Sequence, residues 1–279
     1  MGRPPRVSAL IVSFNTCTLT LEAVASAVSE PQVETIVVDN ASSDGSAAEI
    51  ARAFPFVCLI RSDVNLGFAG GVNRAARSAA GDALLVLNSD ARLEPDALQR
   101  MLDVLDREPR AGLVAPALYY PDGRPQSAAF RFPGLVQLAL DLFPIDRLME
   151  TRLNGRIHAA RPTIIDHPLG ACMLIRRTAW ESVGMLDEGY FMYLEEIDWC
   201  RRAQAHGWQI WHHPGARAIH HGGASTSQQP DSMRTQLWLA RLRYYHRFCG
   251  PSYNRLVHLI VRLGLRLRGG AEAVRQLSS

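Results

Sequence analysis

The feature that most constrains this chain of 279 residues is the alternation of short apolar runs with helix-length segments over its first 115 residues. The apolar runs lack the in-and-out alternation of a half-exposed strand, which is typical of strands buried on both faces. The sequence therefore predicts an α/β fold, a mostly parallel sheet with helices on both faces. The predicted strands are residues 7–12, 34–39, 56–61, 83–88 and 112–115. The predicted helices between them are residues 19–28, 46–53, 70–80 and 98–105.

The rest of the chain is less regular. Prolines interrupt residues 117–168, which predicts an insertion or connecting region. We expect one domain over residues 1–230, with halves at about 1–116 and 117–230, and then a C-terminal helical region over residues 231–279. The later predicted elements are strands at 171–175, 209–212 and 216–220, and helices at 178–183, 195–206, 231–248 and 253–268.

Composition removes several mechanisms. All 30 basic residues are Arg, so a phosphate-binding loop ending in Gly-Lys-Ser/Thr, a Schiff-base lysine and a Ser-x-x-Lys pair are impossible. The five cysteines include no Cys-x-x-Cys pair, which favours reduced thiols over zinc or redox chemistry. The first apolar run is too short for a signal peptide, and no run approaches the roughly 18 apolar residues of a membrane span. We therefore expect a cytoplasmic protein.

Polar side chains follow four of the predicted strands. The carboxyl ends of such strands are where ligands bind to an open α/β sheet. For any single strand end the simpler interpretation is helix capping, but four together favour a nucleotide site. The carboxylate of Asp90 suits a divalent ion that also holds a diphosphate. The candidate nucleotide-binding residues are Ser13, Asn15, Asp39, Asn40, Asn65, Gly67, Asn73, Asn88, Ser89 and Asp90.

A second cluster places three carboxylates within four residues, at Glu195, Glu196 and Asp198. Like charges this close raise at least one pKa, which suits a general base. The alternative is that they stabilise a helix N-terminus, with Asp198 paired to Arg202. We adopt the alternative for Asp198. For Glu195 and Glu196 we favour catalysis, because the aromatic and apolar residues 190–193 before them could form the wall of a pocket.

A third cluster is His220-His221-Gly222-Gly223. Neighbouring His side chains on an extended segment point to opposite faces, so at most one of them serves a given metal. The glycines permit close approach of a ligand, whereas a lone His is more often an ordinary polar residue. On the residues alone both interpretations remain open.

In their order along the chain these motifs resemble the family 2 inverting glycosyltransferases with the GT-A fold, and most closely the bacterial rhamnosyltransferase-like enzymes. The resemblance covers about residues 7–227; each motif is weak alone, but the ordered set is specific. The motifs are Ser13-Phe14-Asn15, Asp39-Asn40-Ala41-Ser42-Ser43-Asp44-Gly45, Asn65-Leu66-Gly67-Phe68-Ala69, Leu87-Asn88-Ser89-Asp90, Gly170-Ala171-Cys172-Met173, Tyr193-Leu194-Glu195-Glu196-Ile197-Asp198 and His220-His221-Gly222-Gly223.

The resemblance implies a nucleotide-diphosphate sugar donor, dTDP-rhamnose before others, a glycan or lipid-linked acceptor, and a divalent metal, Mg²⁺ or Mn²⁺. The first half would bind the donor, with Asp39 and its neighbours at the nucleoside. By motif match Asp90 and His220 would bind the metal, although Asn88 replaces the first acid of the family's Asp-x-Asp signature. The alternatives from the sequence are a nucleotidyltransferase and a non-catalytic nucleotide-sugar binding protein.

The resemblance also implies the roles of residues in the second half. Glu196 occupies the position of the base, where the family usually has Asp, so Glu195 stays an alternative. Gly170 and Ala171 would shape the acceptor side.

The C-terminal residues differ in charge from the rest. Residues 241–279 contain eight Arg and one acid, whereas residues 1–240 contain 22 Arg and 26 acids. In the helix predicted at 253–268, basic and apolar side chains fall on different faces. This predicts peripheral contact with an anionic membrane surface, the alternative being a helix packed on the catalytic domain. The basic residues are Arg255, His258, Arg262 and Arg266, and the apolar ones are Leu256, Leu259, Ile260, Leu263 and Leu267.

Overall fold

The computed structural model describes residues 5–149, 151–228 and 230–267. Its strands are β1 (Val7–Ser13), β2 (Val33–Asn40), β3 (Cys58–Ser62), β4 (Ala83–Asn88), β5 (Ala91–Leu93), β6 (Ala111–Tyr119), β7 (Pro125–Gln126), β8 (Ala129–Phe130), β9 (Thr163–Ile165), β10 (His167–Pro168), β11 (Cys172–Arg176) and β12 (Gln209–His220). Its α-helices are α1 (Cys17–Val28), α2 (Ser46–Ala53), α3 (Gly67–Ala76), α4 (Ala97–Arg107), α5 (Leu135–Leu142), α6 (Asp146–Met149), α7 (Arg177–Val183), α8 (Glu195–Ala205), α9 (Pro230–Phe248) and α10 (Pro251–Leu267). Two 3-10 helices span Arg152–Asn154 and Thr226–Gln228.

One mixed sheet of ten strands organises the molecule. Its order is β3-β2-β1-β4-β11-β6-β12-β5, with β7 beside β6 and β9 beside β12, while β8 and β10 pair separately. The strands β1 to β4 are parallel, and β6 is parallel to β12. The strand β11 is antiparallel to both of its neighbours, and β5 is antiparallel to β12. The predicted fold class is confirmed.

Helices cover both faces of the sheet. On one face α1, α2 and α4 bury residues such as Val24, Ile50 and Met101. On the other, α3, α7 and α8 bury residues such as Val72 and Trp180. Every residue of β1 is buried as a result, which is the physical reason for the unbroken apolar runs in the sequence.

Two predicted boundaries need correction. The helix predicted over residues 70–80 spans Gly67–Ala76 instead, so the glycine-rich segment forms its first turn and the helix ends four residues earlier. Gly67 has φ +71°, and a β carbon there would lie 2.3 Å from the carbonyl oxygen of Phe191, so only glycine lets that loop approach. The strands predicted at 209–212 and 216–220 are one strand, β12, with an irregularity between His213 and Arg217.

The C-terminal helices pack on the rest of the molecule. Val257, Val261 and Leu265 of α10 join a buried cluster with residues of α5, α8 and α9. A β carbon at Gly264 would lie 2.7 Å from Leu142 of α5, so the two helices are in close contact. One face of α10 therefore packs on the domain, and the boundary at residue 230 stays a prediction. Within the described ranges no helix is long and apolar enough to cross a membrane.

Candidate active site

A cavity of about 510 Å³ lies at the carboxyl ends of β1, β2 and β4. Parallel register brings these ends together, since Ser13 is paired with Asp39, and Val12 with Asn88. The start of the antiparallel β11 joins them, because the N–H of Asn88 donates to the carbonyl of Ala171 at 2.9 Å. The predicted site residues that line the cavity are Asn40, Asn65, Gly67, Asn88, Ser89, Asp90, Gly170, Ala171, Glu195, Glu196 and His220.

The amides of Asn40 and Asn65 hold the loop before α3. Asn40 Nδ2 donates to Asn65 Oδ1 at 2.8 Å and to the carbonyl of Gly67 at 3.1 Å, and Asn40 Oδ1 accepts from the N–H of Leu66 at 2.9 Å. Asn65 Oδ1 also accepts from the N–H of Gly67. This part of the wall is therefore held in place by its own hydrogen bonds.

Asp90 and His220 meet although they are far apart in the sequence. Asp90 lies in the turn between β4 and β5, and antiparallel pairing of β5 with β12 sets Ala91 opposite His220. His220 Nε2 consequently lies 3.3 Å from Asp90 Oδ1, and both side chains are buried. Burial by itself would raise the pKa of Asp90, but His220 and the N–H of Ala224, which donates to Oδ2, lower that pKa below its ordinary value.

The orientation of His220 suits a metal ligand. Its Nδ1 lies 2.9 Å from the side-chain oxygen of Gln126, an acceptor, so Nδ1 donates to Gln126, and the Nε2 atom faces Asp90. Metal-binding His side chains usually donate the other N–H to an oxygen in this way. Asn88 Oδ1 is buried nearby without a hydrogen-bond partner.

These donors fit a divalent ion whose other ligands are oxygens of a diphosphate and water. Magnesium is commonly held by one or two carboxylates together with substrate phosphates and water. Across the described residues no three His, Cys, Asp or Glu side chains form a ligand group.

Glu195 and Glu196 lie at the first turn of α8 and form another wall of the same cavity. Both are buried, and one oxygen of each, Oε2, has no hydrogen-bond partner. Burial raises the pKa of Glu196 to about 7, while burial and the neighbouring Glu196 raise the pKa of Glu195 well above its ordinary value. A β carbon at Gly170 would lie 3.3 Å from Glu196 Cγ, so this glycine makes room for the Glu196 side chain.

The backbone before α8 is strained. Tyr193 and Leu194 both have positive φ, 72° and 66°, in the left-handed region that residues other than glycine rarely adopt. The structure around them holds this conformation: the carbonyl of Phe191 accepts from the N–H of Phe68 at 2.9 Å. The two carboxylates therefore stand at the end of a strained, anchored loop.

Asp198 has the structural role that the sequence predicts. The Asp198 side chain is fully buried. Its Oδ2 pairs with Arg202 Nε at 2.7 Å, and its Oδ1 lies 3.1 Å from Arg247 Nη1 of α9. The pairing with Arg202 is confirmed.

Four predicted nucleotide-binding residues do not line the cavity. Ser13 Oγ lies 2.9 Å from the hydroxyl of Thr20, and Asn15 Oδ1 accepts from the N–H of Ser43. Asn73 is buried, and its amide bonds to the backbone of Leu186 at both ends. The structure thus places Asn73 as a support of residues 186–188 and outside the lining of the cavity.

Asp39 is the fourth of these residues. It is buried at the strand ends, where its Oδ2 accepts from the N–H of Ser42 at 3.3 Å. Its Oδ1 is buried and has no hydrogen-bond partner in the structure.

Several residues of the wall were not found from the sequence. Gln126 comes from the proline-interrupted region, where no local pattern marks a ligand-facing side chain. Ser232, Met233 and Gln236 come from the first turns of α9 and line the same cavity as Glu196. Their helix was predicted, but nothing in its periodicity shows which element it packs against.

Comparison with known proteins identifies the family. Residues 8–184, well over half of the chain, match the family described as "Glycosyl transferase family 2". The chain belongs to this family. The glycosyltransferase is 31% identical over 273 residues to N-acetylglucosaminyl-diphospho-decaprenol L-rhamnosyltransferase of Mycobacterium tuberculosis, with 86% of this chain and 87% of that protein covered. The predicted resemblance to rhamnosyltransferase-like members is confirmed.

Solved structures share the fold of this glycosyltransferase. A mannosyltransferase from Pyrobaculum calidifontis, in complex with GDP-Man and Mn²⁺, matches with a TM-score of 0.60 at 17% identity over 99% of this chain and 79% of that one. GalNAc-T7 with UDP, GalNAc and Mn²⁺ matches with a TM-score of 0.58 at 15% identity over 79% of this chain, which spans only 44% of that protein. These likenesses confirm the GT-A fold.

Proposed function

We propose that this glycosyltransferase moves one sugar from a nucleoside-diphosphate sugar to an acceptor hydroxyl in a single inverting displacement, with Glu196 as the base. One observation carries the proposal: Glu196 is buried, has an unpartnered Oε2, and lines the same cavity as the Asp90–His220 pair. A buried carboxylate with a pKa near 7 and a free oxygen is suited to accept a proton at neutral pH.

In this mechanism Glu196 Oε2 takes the proton of the acceptor hydroxyl as the acceptor oxygen bonds to the anomeric carbon of the donor. The bond from that carbon to the diphosphate oxygen breaks, and its electron pair leaves with the nucleoside diphosphate. Because attack and departure occur on opposite sides of the carbon, its configuration inverts. Gly170, whose lack of a side chain makes room for Glu196, would border the acceptor beside the base.

The strand ends would hold the donor. Asp39 Oδ1, buried and unpartnered, would accept a hydrogen bond from the nucleoside, and the loop fixed by Asn40 and Asn65 would border it. Asp90 and His220 would bind a Mg²⁺ or Mn²⁺ ion together with the phosphate oxygens of the donor. That ion, when bound, would offset the negative charge that develops on the departing diphosphate.

The mycobacterial relative supports a choice of donor sugar and acceptor, because its name describes transfer of L-rhamnose to a diphosphate-linked lipid. We infer dTDP-rhamnose as the donor, and as the acceptor a sugar joined to a lipid through a diphosphate. Membership of a glycosyltransferase family favours this over the nucleotidyltransferase and binding-protein alternatives.

A transfer assay tests the proposal. The protein is incubated with Mg²⁺ or Mn²⁺, a sugar-diphosphate-lipid acceptor and, separately, dTDP-rhamnose, UDP-glucose and GDP-mannose. We expect mass spectrometry to show addition of one deoxyhexose from dTDP-rhamnose alone. Equal transfer from another nucleotide sugar contradicts the donor assignment, and the absence of transfer from all three contradicts the function.

The proposal includes peripheral contact with an anionic membrane through α10. The face of this helix opposite its packed side exposes Leu256, Leu259 and Leu263 by 43%, 64% and 56%. Ile260, which the sequence placed in the same apolar stripe, is instead partly buried against the cluster formed with α5 and α9. The side chain of Leu267 and all of Arg268 lie outside the described residues.

Charge supports this interpretation of α10. Arg255, His258, Arg262 and Arg266 are exposed on the helix, and no acidic residue occurs on it. Each Arg near an anionic bilayer adds roughly 1 kcal/mol of attraction. The two sequence-based alternatives thus apply to different faces of the same helix, one packed on the domain and one proposed to meet lipid.

Vesicle co-sedimentation of the full chain tests the contact. We expect binding to anionic vesicles that weakens at high salt, and a clear loss on replacing Leu259 and Leu263 together by Gln. The control variant is Val64→Gln, because Val64 is an equally exposed apolar residue in the loop after β3. Truncation before α10 is avoided because it would expose the buried cluster. Equal binding by all variants contradicts the proposal.

A further inference from the structure

A second cavity adjoins the active site. It has a volume of about 500 Å³ and shares Gln126 and Leu169 with the catalytic cavity. Leu169 directly precedes Gly170, against which Glu196 packs, and Gln126 is hydrogen-bonded to His220. The two cavities are therefore neighbours, and Leu169 and Gln126 lie on their common border.

The lining of this second cavity is basic. Among the described residues, Arg124 and Arg156 contribute two guanidinium groups, Tyr120 and Ser127 contribute hydroxyls, and no acidic side chain lines the cavity. Arg156 Nη1 donates to Ser127 Oγ, which orients the guanidinium. Arg124 pairs with Asp122 at 2.7 Å in the turn that precedes β7, and its side chain is otherwise exposed. Guanidinium groups with neighbouring hydroxyls are the groups that bind phosphate oxygens most effectively.

We propose that the second cavity binds the diphosphate of the acceptor. The inference rests on the proposed function, in which the acceptor sugar is joined to a lipid through a diphosphate. With its hydroxyl at Glu196, such a sugar has its charged group immediately beyond the sugar ring, and the cavity next to Leu169 supplies cations there. The donor diphosphate is assigned elsewhere, to Asp90 and His220, so the two anionic groups have separate sites.

The surroundings of the cavity lead toward the lipid-facing helix. The backbone of Phe130 in β8 forms an isolated antiparallel β-bridge with Arg156, which follows the 3-10 helix Arg152–Asn154. That short helix packs on α5, and Leu142 of α5 contacts Gly264 of α10. A chain of direct contacts thus connects the diphosphate subsite with the helix proposed to meet the membrane.

Binding of inorganic pyrophosphate tests the subsite without any turnover. Pyrophosphate is titrated calorimetrically into the full chain with EDTA present, so that metal does not bridge it to Asp90. We expect binding by the wild type and an affinity lower by about tenfold in Arg124→Gln and in Arg156→Gln, since one charge-assisted hydrogen bond is lost in each. The exposed Arg161, outside both cavities, is the matched control, and Arg161→Gln retains the affinity.

No binding by the wild type, or equal affinity in all variants, overturns the proposal. Arg124 lies in an exposed turn, so its variant stays informative even where Arg156→Gln lowers stability.

Acceptor selectivity gives a second readout. The ratio of kcat/KM for a sugar-diphosphate-alkyl acceptor to that for the same sugar as an alkyl glycoside should fall about tenfold in Arg124→Gln and stay at the wild-type value in Arg161→Gln. A ratio that is the same in wild type and Arg124→Gln overturns the subsite while transfer itself upholds the function. Pyrophosphate binding that requires both arginines, without transfer to either acceptor, upholds the subsite and overturns the function.

Discussion

On the strand-end wall of the cavity the buried amide of Asn40 makes three hydrogen bonds, whereas on the α8 wall the buried carboxylates of Glu195 and Glu196 each keep an oxygen without a partner. The loop before α3, which belongs to the strand-end wall, is thus held in place before any ligand binds. The α8 wall instead carries two carboxylates whose burial costs free energy, and they directly follow the strained residues Tyr193 and Leu194. The comparison teaches that the loop before α3 is held by its own hydrogen bonds, whereas the carboxylate proposed as the base follows strained backbone and keeps an oxygen without a partner.

The sharpest test of this division is Glu196→Gln, which keeps the shape of the side chain and removes its basicity. We expect kcat to fall on the order of 10²–10⁴-fold while donor affinity is nearly unchanged. Steady-state kinetics and calorimetry with the nucleoside diphosphate measure the two effects. Glu181→Gln, an exposed residue on α7, is the control. If Glu195→Gln is the inactive variant instead, the base is Glu195.

A substitution on the strand-end wall should instead lower donor affinity, the quantity that Glu196→Gln leaves nearly unchanged. Asp90→Ala removes the carboxylate proposed to hold the metal, so the metal-dependent affinity for the nucleoside diphosphate should fall by about 10²-fold or more. Calorimetry with and without Mg²⁺ measures it, and Asp63→Ala, an exposed acid, is the control. An unchanged affinity would remove Asp90 from the donor site.

The pH dependence of the reaction sharpens the comparison on the α8 wall. Because burial raises the pKa of Glu196 to about 7, the base is protonated below that pH and active above it. We expect kcat/KM to rise about tenfold per pH unit below 7 and to level off above it. A profile that is flat from pH 5 to pH 8 would contradict a base with this pKa.

Stability gives the smallest effect, with opposite signs on the two walls. Asn40→Ala should lower the free energy of unfolding by about 1–3 kcal/mol, because it leaves the groups of the α3 loop unpaired. Glu196→Gln should raise it by about 1–3 kcal/mol at pH 8, because a neutral amide replaces a buried charge. Chemical denaturation measures both. Destabilisation by both variants would show that the walls do not differ.

The pH sign of this stability effect follows from the same group. The folded protein holds the Glu196 proton to a higher pH than the unfolded chain does, so the stabilising contribution is present at acidic pH and is lost as the pH rises toward 7. The gain from Glu196→Gln should therefore be larger at pH 8 than at pH 5.

The sequence by itself determined the alternation of strands and helices, the strand-end motifs and the acidic first turn of α8. These depend on near-neighbour periodicity and on the parallel register of β1, β2 and β4, and the structure agrees with them. The sequence also showed that the strand ends are polar, but it did not show which of their side chains line the cavity. Asn73 supports residues 186–188 instead of lining the cavity, because a local pattern does not specify which distant backbone an amide meets.

Tertiary structure alone decided the rest of the site. The antiparallel pairing of β5 with β12 brings His220 to Asp90, and packing of α9 on α8 brings Met233 and Gln236 into the cavity. Gln126 reaches His220 from a region without periodicity. Burial of the Glu196 carboxylate, which sets its pKa, is likewise a property of everything packed around it. Such contacts join segments far apart in the chain, and their formation depends on the summed packing energy of the whole fold rather than on any local sequence pattern.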